Sequence, residues 1–471
     1  MGTIEVIKKF IESNWIIEKA AREVIERLPL RFRYSISYGP TFRYWLGFLK
    51  ESEKWDRNRL EEYQIEQLRD LVIHAGRNVP YYKALFEGYG FKPEKLQSLS
   101  DIKKLPFLER MTIHEKKEQF IAGNMPERAF IPSYTSGTSG IPLVIYATKE
   151  TEEKHWATIV DLWGRTGYTP KTKTVFFVAN IRRGNKDNLP WNQYGNSLVL
   201  SSNYFADEWI DRYIKMIDAF QPEYLVGFPH TIAVFCSCLV RSGRTFISDS
   251  LKGVIVYAEN IYEWQTAIIQ EVTGVRVFTD YGMVEKVIHG GACEHSPAFH
   301  LYPQYGFTEY LNLHDSMYEL VGTGFINYAM PLIRYRTGDL CTEVRRACTE
   351  CGRNYDTMNA IVGRMGDFLV TADEQIVSIY LDIDFSVFTN IKRFQFYQEL
   401  PGVVVLRIWP QESFHLDDAQ RILHEIRRSL GSNASKITFD FAVIDDRDDQ
   451  PSGKFRMVEQ RLNIRSFIKL G

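Results

Sequence analysis

The sequence predicts an α/β chain with an α+β end. It reads as a large multi-layer domain, built of parallel α/β sheets and a distorted β-barrel or meander, followed by a small C-terminal domain. Three observations carry this. From about residue 130, short β-rich runs alternate with helical segments, the rhythm of parallel strands layered with helices. Between 304 and 363 the runs shorten and turn residues multiply. After Gly363-Arg364 the pattern changes again, to a few longer strands around one helix.

The elements follow in order. Residues 4–28 carry Ile7, Phe10, Ile11, Ile17, Ala21, Val24, Ile25 and Leu28 at helical spacing. Lys and Arg there are balanced by Glu, so the segment reads as a helix packed on the body rather than a basic membrane-surface helix. Pro29 ends it, because the residue before proline is pushed out of the helical region. Residues 55–90 read as two helices around Asn78-Val79-Pro80-Tyr81-Tyr82. Strand runs follow at Phe130–Tyr134, Leu143–Ala147, Thr174–Val178, Tyr224–Val226, Gly253–Tyr257 and Val275–Phe278, with helices at 206–220 and 261–273. The last unit has strands at Ile391–Phe396, Val403–Trp409 and Ile437–Val443 and a helix at about 416–430. The divisions expected are a helical region over 1–128, a core over 129–365 and a C-terminal domain over 366–471.

Composition excludes several classes. The chain has 471 residues, 45% hydrophobic and 25% charged, with a formal net charge of -2. That is globular, and it lacks the basic field of a nucleic-acid binder. No uncharged run approaches the ~18 apolar residues of a membrane span. The first residues lack the basic-then-apolar order of a secretory leader. Six cysteines are too sparse for a disulfide scaffold. A cytoplasmic protein is the expectation.

The most informative stretch is Tyr134-Thr135-Ser136-Gly137-Thr138-Ser139-Gly140-Ile141-Pro142. Glycines let successive N–H groups point into one concavity, and the hydroxyls add donors for phosphate oxygens. No Gly-Lys-Ser/Thr follows, so this is not a Walker loop. The stretch resembles the phosphate loop of the adenylate-forming enzymes: acyl-CoA synthetases, luciferases and peptide-synthetase adenylation domains. Four more stretches resemble that family's motifs in its order. They are Tyr281-Gly282-Met283-Val284-Glu285, Arg334-Tyr335-Arg336-Thr337-Gly338-Asp339, Gly363-Arg364-Met365-Gly366-Asp367 and Pro451-Ser452-Gly453-Lys454. Asn78–Tyr82, Asp101–Phe107 and the cysteines after Asp339 make the chain most similar to the phenylacetate–CoA ligase branch, particularly its capsule-biosynthesis-type relatives.

The resemblance implies a chemistry. A carboxylate attacks the α-phosphorus of ATP, pyrophosphate leaves, and the acyl group of the acyl-AMP passes to an acceptor. Two anions must approach, so charge must be neutralised and geometry fixed. By resemblance, Glu285 holds magnesium and Asp339 accepts from the ribose hydroxyls. Tyr281 flanks the adenine, with Asp280, Gly282 and the Ala258-Glu259 turn beside it. Thr135, Ser136, Gly137, Thr138, Ser139 and Gly140 cradle phosphate. Arg364 belongs to the nucleotide set. Lys454 is the catalytic point charge between the substrate carboxylate and the α-phosphate. His155, Trp156, His230 and Met283 are placed against the acyl group. Gly366 is the pivot on which the C-terminal domain is expected to rotate, since glycine absorbs φ/ψ change without steric cost. It stands where the family has aspartate. Val284 replaces a usual threonine, and Leu143 a lysine found in many members.

Cys348-x2-Cys351, with Cys293 and either His300 or His295, His300 preferred, has zinc-like spacing, and a structural role is expected. Cys341 is a reserve ligand. The favoured acceptor is coenzyme A, giving a thioester. An amine or amino sugar, giving an amide, is the alternative, and a non-catalytic nucleotide-binding subunit is a third reading. Clustered Arg421, Arg427 and Arg428 read equally as a CoA-phosphate contact or a solvated face. The identity of the acid and the oligomeric state, a homodimer included, are left open.

Overall fold

The computed structural model describes residues 39–135, 143–178, 190–204, 207–241, 243, 249–258, 261, 263–314, 317–361, 368–378, 387, 390–444 and 458–462. The helix expected over 4–28 lies outside them, as do Ser136–Gly140, Glu259, Arg364, Gly366 and Lys454.

Among the described residues three helices lead in: α1 (Pro40–Ser52), α2 (Arg57–Asn78) and α3 (Pro80–Tyr89). The sequence reading had no α1. Asp56 caps α2 by accepting the Arg59 N–H at 2.9 Å. Pro80 opens α3, where a missing N–H is harmless, and Gly90 closes it at φ +60. A short helix α4 (Arg110–Glu115) precedes strands β1 (Ile131–Tyr134) and β2 (Val144–Ala147). These two were expected among the parallel strands. They form instead an antiparallel two-stranded sheet of their own, Tyr134 opposite Val144. The connection between them is too short for a parallel crossover, which needs about a dozen residues or more.

The central sheet is built from α5 (Lys149–Gly164), β3 (Thr174–Val178), β4 (Trp191–Tyr194), β5 (Ser197–Ser201), α6 (Asp207–Phe220), β6 (Tyr224–Gly227), α7 (Pro229–Arg241), β7 (Gly253–Tyr257), α8 (Glu263–Thr273), β8 (Val277–Gly282), β9 (His289–Ala292), β10 (Phe299–Leu301) and, later, β14 (Thr357–Met358). Among the described residues its nine strands run β14-β10-β9-β8-β7-β6-β3-β5-β4. Strands β5, β3, β6, β7 and β8 are parallel, while β4 and the β9-β10-β14 side are antiparallel. Side chains alternate between two cores. Val175, Phe177, Leu225, Val254 and Val256 pack with α6, α7 and α8, while Phe176, Tyr224, Val226 and Ile255 pack with α1 and α5. With both faces covered, these strands read as continuous apolar runs.

Between β10 and β14 the chain leaves the sheet and makes β11 (Gly306–His314), β12 (Met317–Gly324) and β13 (Tyr335–Thr342), joined by β15 (Ala360–Ile361). This is the expected barrel or meander, realised among the described residues as an open antiparallel sheet, β11-β12-β13-β15. The last unit has the hairpin β16 (Phe368–Val370) and β17 (Ile376–Ser378), then β18 (Ile391–Leu400), β19 (Val403–Pro410), α9 (Leu416–Leu430), β20 (Thr438–Val443) and β21 (Val458–Gln460). Helix α9 buries Ala419, Ile422, Leu423, Ile426 and Leu430. Those residues join a hydrophobic cluster whose members all come from Leu369 onward. No helix among the described residues is long and apolar enough to cross a membrane.

Candidate active site

Strands β6, β7 and β8 are parallel neighbours, so their carboxyl ends share one edge of the sheet. Ligands of open α/β sheets collect at such an edge. Here it presents Phe228-Pro229 after β6, Ala258 after β7 and Tyr281-Gly282 at the end of β8. Ala258 sits at φ +66, a backbone conformation that side chains other than glycine rarely adopt. Strand β8 runs beyond the expected Val275–Phe278, and this puts Asp280, Tyr281 and Gly282 in register with β9. Gly282 has a packing reason: a Cβ there would lie 2.8 Å from the His289 ring.

The Arg334–Asp339 segment touches the Tyr281–Glu285 segment. Tyr335 donates its hydroxyl to Glu285 Oε1 at 3.0 Å, and Tyr281 donates to Asp339 Oδ2 at 3.0 Å. The local chain explains how. On β13, Arg336 to Leu340 opposes only Val321 to Glu319 on β12, so Thr337, Gly338 and Asp339 bulge from the ladder. Gly338 takes φ +71. The Thr337 hydroxyl donates to Leu320 O at 2.8 Å and accepts the Asp339 N–H at 3.0 Å. Bulges re-aim side chains beside functional sites, and this one aims Asp339. Arg334 anchors the start of β13 through a buried, two-pronged ion pair with Glu309, both contacts 2.9 Å, and it lies over the Phe107 ring.

A residue absent from the sequence reading joins these parts. Arg110 donates to Glu285 Oε1 at 3.1 Å and to Thr135 Oγ1 at 2.6 Å. Leu108 delivers it, because Leu108 and Tyr335 form a parallel bridge. Thr135 also closes the base of the 136–142 segment: its N–H donates to Leu143 O at 3.0 Å, and its hydroxyl accepts Leu143 N–H at 2.8 Å. Both bonds to Glu285 land on Oε1, leaving Oε2 without a partner among the described residues. A carboxylate oxygen left over on a largely buried side chain suits a hard cation that favours oxygen ligands.

Behind β8 lies a buried polar group. Asp280 accepts from Trp163 Nε1 at 2.9 Å, and its other oxygen is 3.6 Å from His289 Nε2. Burial raises the Asp280 carboxyl to about 7 against the Trp163 hydrogen bond. Burial, with Lys286 and Arg165 nearby, lowers His289 to about 3. His289 is therefore neutral at ordinary pH, and Asp280 keeps its proton up to about neutrality. His155 on α5 shares a 2.9 Å hydrogen bond with the Tyr305 hydroxyl. Trp156, expected beside it against the acyl group, is 47% exposed. Consecutive helical residues diverge by about 100°, so the two face different surroundings. Met283 packs against the core that α2 and α3 share with β12 and β13, and the side chain of His230 lies outside the described residues.

Cys293, His300, Cys348 and Cys351 come together with all four ligand atoms within 4.8 Å of one another. Cys293 Sγ is 4.0 Å from Cys348 Sγ, and Cys351 Sγ is 3.4 Å from His300 Nε2. A tetrahedral zinc with ~2.3 Å Zn–S bonds separates its sulfurs by about 3.8 Å. His300 is the member of the group because β10 pairs with both β9 and β14, which holds it beside the Cys348–Cys351 turn. His295 gives only its backbone N–H to Cys293 Sγ, at 3.3 Å, while its ring is 61% exposed. Cys341 is buried in β13, outside the group. Burial, helped by Arg165 and Arg353, lowers His300 to about 3 and leaves a neutral imidazole. Burial opposes ionisation of Cys348, yet hydrogen bonds from Cys351, Glu350 and Cys293 hold its thiol below the usual value. In the last unit Arg421 pairs with Asp418, Arg428 with Glu425, and Arg427 lies over Phe439, so these three arginines are engaged locally.

Three comparisons bear on this geometry. Residues 369–461 match the family described as CapK C-terminal domain. The phenylacetate-coenzyme A ligase of Aromatoleum evansii is 27% identical over 351 residues, 69% of this chain and 74% of that one. Protein CapK of Staphylococcus aureus is 22% identical over 415 residues, 85% and 89% of the two chains. A crystal structure of 2-hydroxyisobutyryl-CoA ligase, in complex with 2-HIB-AMP and CoA, superposes with a TM-score of 0.60 at 16% identity, covering 88% of this chain and 93% of that one.

Proposed function

We infer that this chain, a phenylacetate–CoA ligase-like member of the adenylate-forming superfamily, activates a carboxylic acid with ATP as an acyl-AMP and passes the acyl group to coenzyme A. The observation that carries the reading is the double contact of two distant motifs at the carboxyl edge, Tyr335 on Glu285 and Tyr281 on Asp339. It supports Glu285 as the metal carboxylate and Asp339 as the ribose carboxylate, each held by the tyrosine of the other motif.

Each residue has a task in this reading. Asp339, aimed by its bulge, accepts from the ribose hydroxyls while Tyr281 holds it. Glu285 offers Oε2 to magnesium, which would neutralise phosphate charge as pyrophosphate leaves. Thr135 closes the base of the phosphate segment. Lys454, outside the described residues, bridges the attacking carboxylate and the α-phosphate. The C-terminal domain, 366–471, turns about Gly366 between the two half-reactions. Zinc at Cys293, His300, Cys348 and Cys351 is structural: four protein ligands leave no open position for a reacting water. Relatives named phenylacetate-coenzyme A ligase favour the thioester over the amide or the non-catalytic reading.

ATP–pyrophosphate exchange across a panel of carboxylic acids tests adenylation, and mass spectrometry with CoA and with amines identifies the acceptor. Exchange dependent on one class of acid, followed by a CoA thioester, is the expected result. Absence of both exchange and ATP binding defeats the reading.

A further inference from the structure

We propose that Arg110 is a placeholder cation: it balances Glu285 until the metal arrives, so that the divalent ion enters with the nucleotide rather than alone. The inference rests on the adenylation reading for the role of Glu285, and on geometry for the rest. Arg110 Nη1 lies 3.1 Å from Glu285 Oε1, with the two side chains only 18% and 7% exposed. Its other terminal nitrogen holds Thr135 Oγ1 at 2.6 Å. One guanidinium thus spans the metal carboxylate and the base of the phosphate segment, a fork that lysine cannot reproduce. Without nucleotide, the Arg110 guanidinium balances Glu285, while the neighbouring Lys286 is paired with Glu152 at 3.2 Å. A bare divalent ion at Oε2 would add two positive charges beside a third in a little-hydrated place, where like charges repel strongly. Polyphosphate reverses that balance: its negative charge accommodates the ion and the guanidinium together. Arg110 is therefore a positioning residue whose charge sets the order of binding.

The test is binding of Mn2+ alone to the zinc-replete protein, followed by electron paramagnetic resonance, for wild type, Arg110→Gln and Arg110→Lys. Arg110→Gln should bind bare Mn2+ at least tenfold more tightly than wild type, about 1.4 kcal/mol. Arg110→Lys, which keeps the charge, should stay within about threefold of wild type. A glutamine variant no tighter than wild type, or a lysine variant as tight as the glutamine one, overturns the proposal. Wild type alone gives a second reading should a variant not fold. It should retain Mn2+ through gel filtration in the presence of a non-hydrolysable ATP analogue and lose it without. Equal retention in both overturns the proposal. Pyrophosphate exchange by wild type separately decides the adenylation reading, so the two failures remain distinguishable.

Discussion

Asp280→Asn should stabilise the protein more at pH 8 than at pH 5. The folded carboxyl sits at about 7 against an ordinary 3.8, pushed up by burial. Each unit corresponds to about 1.4 kcal/mol. The folded state keeps a proton that the unfolded state has released between about pH 4 and pH 7, so stability falls as pH rises through that window. The charge therefore costs ~4 kcal/mol above pH 7 but only ~1.6 kcal/mol at pH 5. Asparagine carries no charge, and its side-chain oxygen can still accept from Trp163. The gain should be ~2–3 kcal/mol larger at pH 8 than at pH 5. His289 supplies a second signature. Its imidazole is lowered from 6.5 to about 3, so the unfolded state binds a proton that the folded state refuses, and stability rises with pH across that range. In wild type the two slopes oppose each other between about pH 4 and 6.5. In the variant the rise from His289 should stand uncovered. Equilibrium urea unfolding, followed by tryptophan fluorescence at several pH values, measures both. An equal gain at pH 5 and pH 8, or a loss at pH 8, refutes the account of Asp280 as a buried acid whose ionisation costs stability.

Cys348→Ser should lower bound zinc from one ion per chain towards none by elemental analysis and reduce thermal stability, and chelation of wild type should do the same. Lys454→Ala should depress adenylation strongly while sparing transfer from preformed acyl-AMP; a change under twofold, less than ~0.5 kcal/mol, would make Lys454 an ordinary surface residue. Arg334→Met should destabilise by about 3–5 kcal/mol, because it strands the Glu309 carboxylate in the interior. Adding Glu309→Gln should return part of that loss in urea unfolding, and a strictly additive double variant would deny the pairing.

The chemistry-bearing stretches were legible because each packs its chemistry into a few consecutive residues. Thr337-Gly338-Asp339 is one: hydroxyl, left-handed glycine and carboxylate together make the bulge that aims the acid. Partners far apart in sequence were not legible. Arg110 meets Glu285 only because Leu108 bridges to Tyr335, and spacing carries no trace of a tertiary contact. The same holds for Trp163 on Asp280 and for Glu309 under Arg334. His300 was preferred to His295 in the sequence with the choice left open; the strand pairing of β10 decides for His300. Strands β1 and β2 were misplaced because an apolar run does not say which sheet it joins.

The cysteine cluster has a consequence for how the chain folds. Cys293 and Cys348 are 55 residues apart, yet their sulfurs are 4.0 Å apart. Strands β11, β12 and β13 all lie in the excursion between them. An ion gripping the two ends would close that excursion into a ring. By the loop-closure relation used for cross-links, a ring of that size removes ~4 kcal/mol of freedom from the unfolded chain. Metal capture early in refolding would then hasten assembly of the meander by shortening the search for its partners, whereas late capture would leave the rate unchanged and only slow unfolding. Refolding with metal added at different delays distinguishes a folding nucleus from a final lock.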